Sequence, residues 1–259
     1  MTNEETVRRE PGAVDLQALI TRMLTPARSE RSSAAAWGRR ETLDSRFGPL
    51  AYWTAGSGPA VLLVHGWDSA HADLDAFVAP LVARGLSVAA LDLPAHGESA
   101  GETATLADSA EAIALLGARF ERVAGVVGHS AGCPATAFAL DAGLRAERVA
   151  LIATPQRYER FVRWFAGEAG VEVETLIAGL AARGIDVTAF DLPLTAARLE
   201  VPALIVHSRD DRTCQIAGAR AVAAAWRGST FLEVDGLGHS RILRDPAVVE
   251  RVVGFIAGA

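Results

Sequence analysis

Short apolar runs of strand length recur along the chain from residue 60 onward. They lie at residues 60–64, 87–91, 123–127, 148–152, 203–206 and 230–234. Between most of these runs, and after the last, apolar residues recur with the spacing of a helix. These helical patterns lie at residues 72–84, 106–120, 133–144, 216–226 and 246–256. Alternation of continuous apolar strands with helices is typical of a parallel sheet that is covered on both faces. We therefore predict an α/β fold with a mostly parallel central sheet and helices on both of its faces.

One stretch interrupts this alternation. Residues 156–199 contain no strand-like run, and their apolar side chains, among them Phe161, Trp164 and Phe165, recur at helical spacing. We predict a small helical cap here, inserted into the core. The core then comprises residues 37–155 and 200–259.

The beginning of the chain differs in character from the core. Residues 1–36 are charged and in parts rich in serine and alanine, so we predict an N-terminal extension. Within it, residues 14–24 have the pattern of one amphipathic helix, and the first dozen residues are expected to be loose. Residues 43–47 and 50–54 alternate in polarity around a Gly-Pro pair, which predicts a β-hairpin.

Composition narrows the class of protein. A chain of 259 residues, half of them hydrophobic, can bury one sizeable core, and the net charge of −6 argues against a nucleic-acid partner. No uncharged apolar run is long enough for a membrane span, and the acidic N-terminus does not have the pattern of a secretory signal. The two cysteines, Cys133 and Cys214, form no disulfide framework or metal pattern. We expect free thiols in a reducing, cytoplasmic compartment, with the oligomeric state left open.

The segment with the most chemical information is Gly-His-Ser-Ala-Gly at residues 128–132, a G-x-S-x-G string between a predicted strand and a predicted helix. A serine on so sharp a turn is forced into strained backbone geometry, and the flanking glycines leave room for it. The turn lifts the hydroxyl of Ser130 clear of the sheet, at the positive end of the following helix. We predict that Ser130 is a nucleophile.

A serine hydroxyl needs a base that removes its proton, and histidine is the usual one. Five of the six histidines lie in the elbow, at strand ends, near a helix start or in a tight loop: His65, His71, His96, His129 and His207. The side chain of His129 is expected to point away from the nucleophile. His239 alone follows the last predicted strand, in a glycine-rich loop that could reach Ser130. We predict that His239 is the base.

A carboxylate should orient this histidine and should lie between the serine and the histidine in chain order. Asp210 and Asp211 follow the strand at residues 203–206, whereas the loop after the preceding strand offers no carboxylate. Asp211 is our choice, with Asp210 as the alternative. One of the two is also expected to cap the helix that begins nearby.

An oxyanion hole needs two N–H donors aimed at the developing charge. Ala131 follows the nucleophile directly and supplies one backbone donor. The second is expected from the loop after the first central strand. There Gly66 allows the backbone to turn inward, so we predict that the N–H of Trp67 is the donor.

With these motifs in place, the chain resembles the α/β-hydrolase family from about residue 39 to its end. Four features match in order: the strand ending in His65-Gly66, the D-x-P-x-H-G-x-S stretch at residues 92–99, the elbow, and the pair Asp211 and His239. In that family residues 92–99 form a structural turn, so the resemblance gives His96 and Glu98 no catalytic role. The chain departs from the family where a glycine often stands at Ser208 and where a Val-Pro pair often follows the acid.

The resemblance implies a serine esterase-like hydrolase with no metal or organic cofactor. A serine nucleophile disfavours the epoxide-hydrolase and haloalkane-dehalogenase branches, which need a carboxylate there. The expected partner is a small-molecule ester or thioester with a small to medium apolar acyl group, contacted by Trp67, Phe161, Trp164 and Phe165. Other chemistry on the same triad remains open, namely C–C bond or lactone hydrolysis, acyl transfer and perhydrolysis, as does a non-catalytic binding protein.

Overall fold

The computed structural model describes residues 15–29 and 37–258, so the expectation that the first dozen residues are loose lies outside the described residues. Within them, eight strands form one sheet in the order β1-β2-β4-β3-β5-β6-β7-β8. Their bounds are β1 Arg39–Leu43, β2 Leu50–Gly56, β3 Ala60–Val64, β4 Ser87–Leu91, β5 Val123–His129, β6 Val149–Ile152, β7 Ala203–Ser208 and β8 Ser229–Val234. Only β2 runs antiparallel to both of its neighbours among the described strands, and β3 to β8 are parallel. The predicted mostly parallel sheet is confirmed.

The predicted hairpin at the start of the sheet is present and its second strand is confirmed, but its first strand was placed wrongly from the sequence. Its first strand is β1, and residues 44–49 form the connection, so that Leu43 pairs with Leu50. The connection is closed by the hydroxyl of Ser45, which donates to the carbonyl of Gly48 at 2.6 Å. Gly48 has a φ of 93°, a left-handed conformation that favours glycine. The polarity alternation around Gly48 therefore belongs to this loop and not to a two-residue turn.

Helices cover both faces of the sheet. On one face lie a 3-10 helix (His71–Phe77), α2 (Val78–Ala83) and α9 (Pro246–Ala257), which pack on alternate side chains of β3, Val61 and Leu63. The opposite face carries α3 (Leu106–Gly117), α4 (Gly132–Asp141) and α8 (Ile216–Ala225). The single helix predicted at residues 72–84 is thus a 3-10 segment that continues as α2.

A separate apolar cluster joins three helices: α1 (Leu16–Leu24), α5 (Tyr158–Ala169) and α6 (Val173–Ala182). The amphipathic helix predicted near residues 14–24 corresponds to α1, whose N-terminus is capped by the side chain of Asp15. Of the residues assigned to the cap, Leu192 and Ala196 on α7 (Leu192–Ala196) are buried in the core cluster with α4 and α8. The cap-forming part of residues 156–199 is therefore α5 and α6, and α1 joins it from the other end of the chain.

Across residues 15–29 and 37–258, none of the helices has both the length and the apolar character that crossing a membrane requires.

Candidate active site

The turn between β5 and α4 carries Ser130 in a left-handed conformation, with a φ of 50°. Its backbone N–H donates to the carbonyl of Ile152 on the neighbouring strand at 3.0 Å, which fixes the turn to the sheet. A Cβ at Gly132 would lie only 2.5 Å from the carbonyl oxygen of His65, so no larger residue fits there. Strained backbone of this kind often marks a functional site.

Three side chains from separate loops meet at this turn. The Nε2 atom of His239, in the loop after β8, lies 3.0 Å from the hydroxyl oxygen of Ser130. The Nδ1 atom of the same ring lies 2.8 Å from Oδ2 of Asp211, in the loop after β7. With the proton on Nδ1 donated to the carboxylate, Nε2 is free to accept the proton of the serine hydroxyl. The structure thus brings together the three residues that the sequence singled out.

The carboxylate of Asp211 is buried and held from two sides. Its Oδ1 accepts the backbone N–H groups of Thr213 at 2.8 Å and Cys214 at 2.9 Å. Burial by itself would raise the pKa of Asp211, but the hydrogen bond from His239 and those from the two backbone amides outweigh it and lower the pKa. The group therefore stays ionised beside the imidazole.

Asp210, the sequence alternative, has a different task. Its Oδ1 accepts the hydroxyl of Ser208 at 2.5 Å and the N–H of Gly238 at 3.0 Å. The hydroxyl oxygen of Ser208 in turn accepts the N–H groups of Leu237 and Gly238, each at 3.2 Å. Ser208 and Asp210 thus hold the loop that carries His239. This role was not predicted from the sequence, although the serine at position 208, where the family often has glycine, pointed to an added side-chain contact.

The loop after β3 passes directly against Ser130. A Cβ on Gly66 would lie 2.8 Å from the Cβ of Ser130, so the backbone at Trp67 runs beside the serine. Ala131, on the other side, is the N-cap residue directly before α4. The two predicted oxyanion donors therefore belong to segments that flank Ser130.

The other histidines make structural contacts. His129 does not point away from the site as expected: its ring lies 4.9 Å from the ring of His239, and its Nε2 is 3.0 Å from the carbonyl oxygen of His239. The loop that carries His239 passes the end of β5, where the ring of His129 meets the backbone carbonyl of His239. Nε2 of His207 lies 2.8 Å from the carbonyl oxygen of Cys214 and 3.4 Å from Oδ2 of Asp211.

The stretch at residues 92–99 forms a turn organised by the buried carboxylate of Asp92. Oδ1 of Asp92 accepts the backbone N–H of His71 at 2.8 Å, and Oδ2 accepts that of Glu98 at 2.8 Å. His65 accepts the N–H of Leu93 on its Nε2 at 3.0 Å, which ties this turn to the loop after β3. These contacts support the structural reading of residues 92–99.

Both cysteines are free thiols, and one of them touches the site. The backbone N–H of Cys214 donates to Oδ1 of Asp211 at 2.9 Å. Burial, together with the nearby charge of Asp211, raises the pKa of the Cys214 thiol to about 12. Cys133 is buried under the elbow, where its thiol donates to the carbonyl of Gly128 at 3.2 Å. Cys214 is therefore a neutral thiol close to Asp211.

The cap aromatics have different surroundings. Phe165 packs in the cluster of α1, α5 and α6, with the guanidinium of Arg22 5.3 Å from its ring centroid. Trp164 is 59% exposed, and its ring lies 5.8 Å from that of the half-buried Phe161. The structure thus gives Phe165 a part in cap packing, and a substrate contact by these three residues stays a prediction.

No group of three or more His, Cys, Asp or Glu side chains within residues 15–29 and 37–258 is arranged to hold a metal ion.

Comparisons with known proteins agree with this architecture. A family model described as "Alpha/beta hydrolase family" matches residues 61–252. A pimeloyl-[acyl-carrier protein] methyl ester esterase from Chromobacterium violaceum is 36% identical over 129 residues. That match covers 49% of each protein, so the chain spans about half the length of this curated relative.

Solved structures show the same fold at low sequence identity. An esterase from Exiguobacterium antarcticum has a TM-score of 0.68 at 16% identity, with 84% of this chain and 99% of that chain covered. A hydrolase from Pseudomonas aeruginosa has a TM-score of 0.67 at 23% identity, with 86% and 99% covered. A putative non-heme bromoperoxidase from Mycobacterium tuberculosis has a TM-score of 0.66 at 20% identity, with 81% and 96% covered.

The buried histidines predict how stability depends on pH. Burial lowers the pKa of His96 to about 3 and that of His129 to about 4, whereas a histidine in the unfolded chain titrates near ~6.5. The unfolded state therefore binds more protons than the folded state below pH ~6.5, so the free energy of unfolding is greatest above that pH and falls as the pH drops toward 4. Each histidine contributes a slope of up to about 1.4 kcal/mol per pH unit.

Urea denaturation at several pH values between 7.5 and 4.5 measures this slope. His96→Gln keeps a side chain of similar size but removes the titrating group, and it should reduce the slope by about 1 kcal/mol per pH unit in the acidic range. An unchanged slope in this variant would show that His96 takes up no extra proton on unfolding.

Proposed function

The chain belongs to the alpha/beta hydrolase family, and we propose that it is a serine hydrolase that cleaves carboxylic esters or thioesters through an acyl-enzyme intermediate. The observation that carries this proposal is the hydrogen-bonded series from Asp211 through His239 to Ser130, with distances of 2.8 and 3.0 Å. The left-handed backbone at Ser130 presents its hydroxyl at the start of α4, as the nucleophile elbow of α/β-hydrolases does.

In the proposed reaction Ser130 attacks the substrate carbonyl carbon while Nε2 of His239 takes the hydroxyl proton. The C–O or C–S bond to the leaving group then breaks, and His239 returns the proton to that group. Water next attacks the acyl-serine ester, again with His239 as base, and releases the acid and free Ser130. Asp211 stays ionised throughout and stabilises the charged imidazole.

The N–H groups of Trp67 and Ala131 are the proposed donors to the oxyanion. Support comes from the contact of Gly66 with the elbow, which brings the backbone at Trp67 beside Ser130. Ala131 lies at the N-terminal end of α4, where backbone N–H groups have no partner within the helix. Donors fixed in this way stabilise the charge that develops on the carbonyl oxygen.

For the substrate we propose a small to medium apolar acyl group. The thiol of Cys214, close to the triad, is neutral, and Trp67, which is half-buried, lies in the loop that flanks Ser130. The half-buried Phe161 on α5 is the proposed cap contribution, with Trp164 and Phe165 as further candidates. The curated relative is by its name a methyl ester esterase, which favours ester cleavage over the other reactions of the fold.

We place this activity in the cytoplasm. Both cysteines are free thiols, Cys133 buried and Cys214 partly exposed, which suits a reducing compartment.

A series of p-nitrophenyl esters of increasing acyl length tests the proposal. Hydrolysis by the wild type should rise with chain length, because each buried CH₂ favours binding by up to about 0.8 kcal/mol, and then fall when the pocket is full. Ser130→Ala should abolish hydrolysis of every ester while its free energy of unfolding changes by less than about 1 kcal/mol.

Residual turnover of more than a few per cent in Ser130→Ala would remove this serine as the nucleophile. A rate that does not vary with acyl length, or a preference for a charge next to the carbonyl, would instead contradict only the apolar acyl group.

The two neighbouring aspartates provide a matched pair of variants. Asp211→Asn should lower kcat by about 10³–10⁴, because an amide no longer holds the imidazole in the tautomer that accepts the serine proton. Asp210→Asn retains an oxygen acceptor for Ser208 and Gly238, so its kcat should stay within about tenfold of the wild type. Steady-state kinetics on one ester decides between them, and the reverse ranking would make Asp210 the acid.

A further inference from the structure

A short segment that begins with the last residue of α1 contacts the loop after β3, which lies against Ser130, and the loop after β4. We call residues 24–28 the strap. The carbonyl of Leu24 accepts the N–H of Ala104 at 2.8 Å, and the N–H of Ala27 donates to Oδ1 of Asp68 at 2.6 Å. The strap therefore contacts the residue that directly follows Trp67.

Arg28, at the end of the strap, is bound to the loop after β4. Its guanidinium donates to three backbone carbonyls, those of Gly97 at 2.7 Å, Ser99 at 2.8 Å and Gly101 at 2.8 Å. The planar, multi-donor guanidinium suits several carbonyls that point toward one place, which a lysine ammonium matches less well. One side chain thus fixes the path of residues 97–101.

The loop that Arg28 binds supports Trp67 from the side. His96 belongs to this loop, and its ring lies 5.0 Å from the ring of Trp67 at an interplanar angle of 85°. Nδ1 of His96 is held 2.9 Å from the carbonyl oxygen of Pro94. Because the two rings are in contact, a displacement of this loop would change the position of Trp67.

Asp68 has a conformation that needs such support. Its φ is 55°, in the left-handed region that only glycine adopts freely and that aspartate and asparagine tolerate better than other residues. The bond from Ala27 holds the side chain of Asp68 in this turn, and the turn sets the direction of the preceding peptide groups. The N–H of Trp67 belongs to one of them.

The strap is itself anchored in the cap. Leu19, Ile20, Met23 and Leu24 of α1 are buried against α5 and α6. Strap and cap therefore form one connected unit, and this unit reaches the loop beside the nucleophile.

We propose that the strap positions the N–H of Trp67 for the oxyanion, with Asp68 and Arg28 as the positioning residues. The inference rests on the proposed function, because it assigns a task within the same reaction. It adds a part of the chain outside the matched family region, residues 61–252, to the machinery of the site.

The test compares Asp68→Ala, Asp68→Asn and Arg28→Ala with the wild type on one p-nitrophenyl ester. Asp68→Ala and Arg28→Ala should lower kcat by about tenfold, less than the 10²–10³ that loss of a whole oxyanion donor costs, with KM within about twofold. The rate at which a fluorophosphonate labels Ser130 should fall in parallel, because that reaction also develops charge on an oxygen. Asp68→Asn keeps the acceptor and tolerates the left-handed backbone, so it should restore most of the rate.

Arg183→Ala is the matched control. Arg183 also makes three hydrogen bonds to α1, to Oε1 and the carbonyl of Gln17 and to the hydroxyl of Thr21, and none of these three bonds involves residues 24–28 or the loops that they bind. Its kcat and labelling rate should match the wild type. Thermal melts of all variants establish that each is folded under the assay conditions, and Arg28→Ala, at an exposed position, carries the test if Asp68→Ala does not fold.

Wild-type kcat in both Asp68→Ala and Arg28→Ala would overturn the role of the strap and leave the proposed function standing. A change in KM alone, or equal losses in Arg183→Ala, would also overturn it, since either result indicates a general effect on the cap. A wild type that neither hydrolyses esters nor is labelled at Ser130 would overturn the proposed function, and the strap inference with it.

Discussion

The constraint on which the site depends is the tight turn that takes the chain from β5 into α4 with Ser130 in a left-handed conformation. Two other pieces of backbone must pass close to this turn: the end of β3, whose carbonyls lie against Gly132, and the following loop at Gly66, which lies against Ser130. Because neither glycine has room for a Cβ, Ser130 and the backbone of Trp67 are fixed relative to each other by packing. The hydroxyl of Ser130 can then be reached by a base only from a loop at the same edge of the sheet, and His239 lies in such a loop.

A second group of contacts holds the loop that carries His239, the proposed base. Ser208 and Asp210 bind the N–H groups of Leu237 and Gly238, and His129 contacts the carbonyl of His239 itself. The ring is thus held through its backbone as well as through its bond to Asp211. A histidine held in this way needs little rearrangement to accept a proton. Ser208, Asp210 and His129 serve this purpose together, because each binds the backbone of the loop that carries His239.

The strands were predictable because their signal is local. Each apolar run from residue 60 onward forms a strand. The central strands β3, β5, β6 and β7 are buried along their whole length, and a strand covered on both faces of a parallel sheet has to be apolar throughout, whereas the edge strand β8 is only partly buried. Ser130, Asp211 and His239 could be singled out for a similar reason, as each follows a strand end in a short recognisable motif. The start of the hairpin was misplaced because Gly48 belongs to a six-residue connection, whose closure by Ser45 leaves no pattern in the sequence.

The sequence could not supply contacts between distant residues where no motif marks the partners. Arg28 meets carbonyls about 70 positions further along the chain, and carbonyls carry no sequence signal at all. The helical spacing of Phe161, Trp164 and Phe165 placed them in a cap, but it could not show that α1 would cover Phe165 or that Trp164 would remain exposed. Helix periodicity indicates which residues share a face, and the partner of that face depends on the whole fold.

The proposed mechanism depends most on the hydroxyl oxygen of Ser130 carrying the acyl group, while the nearby thiol of Cys214 stays unmodified. Rapid acid quenching of the wild type during turnover of a p-nitrophenyl ester, followed by mass spectrometry of the intact chain and of its peptides, tests this directly. The account predicts one acyl group per chain, located on the peptide that contains Ser130 and formed in the first turnover. An acyl group on Cys214, or turnover in which Ser130 never becomes acylated, would contradict it.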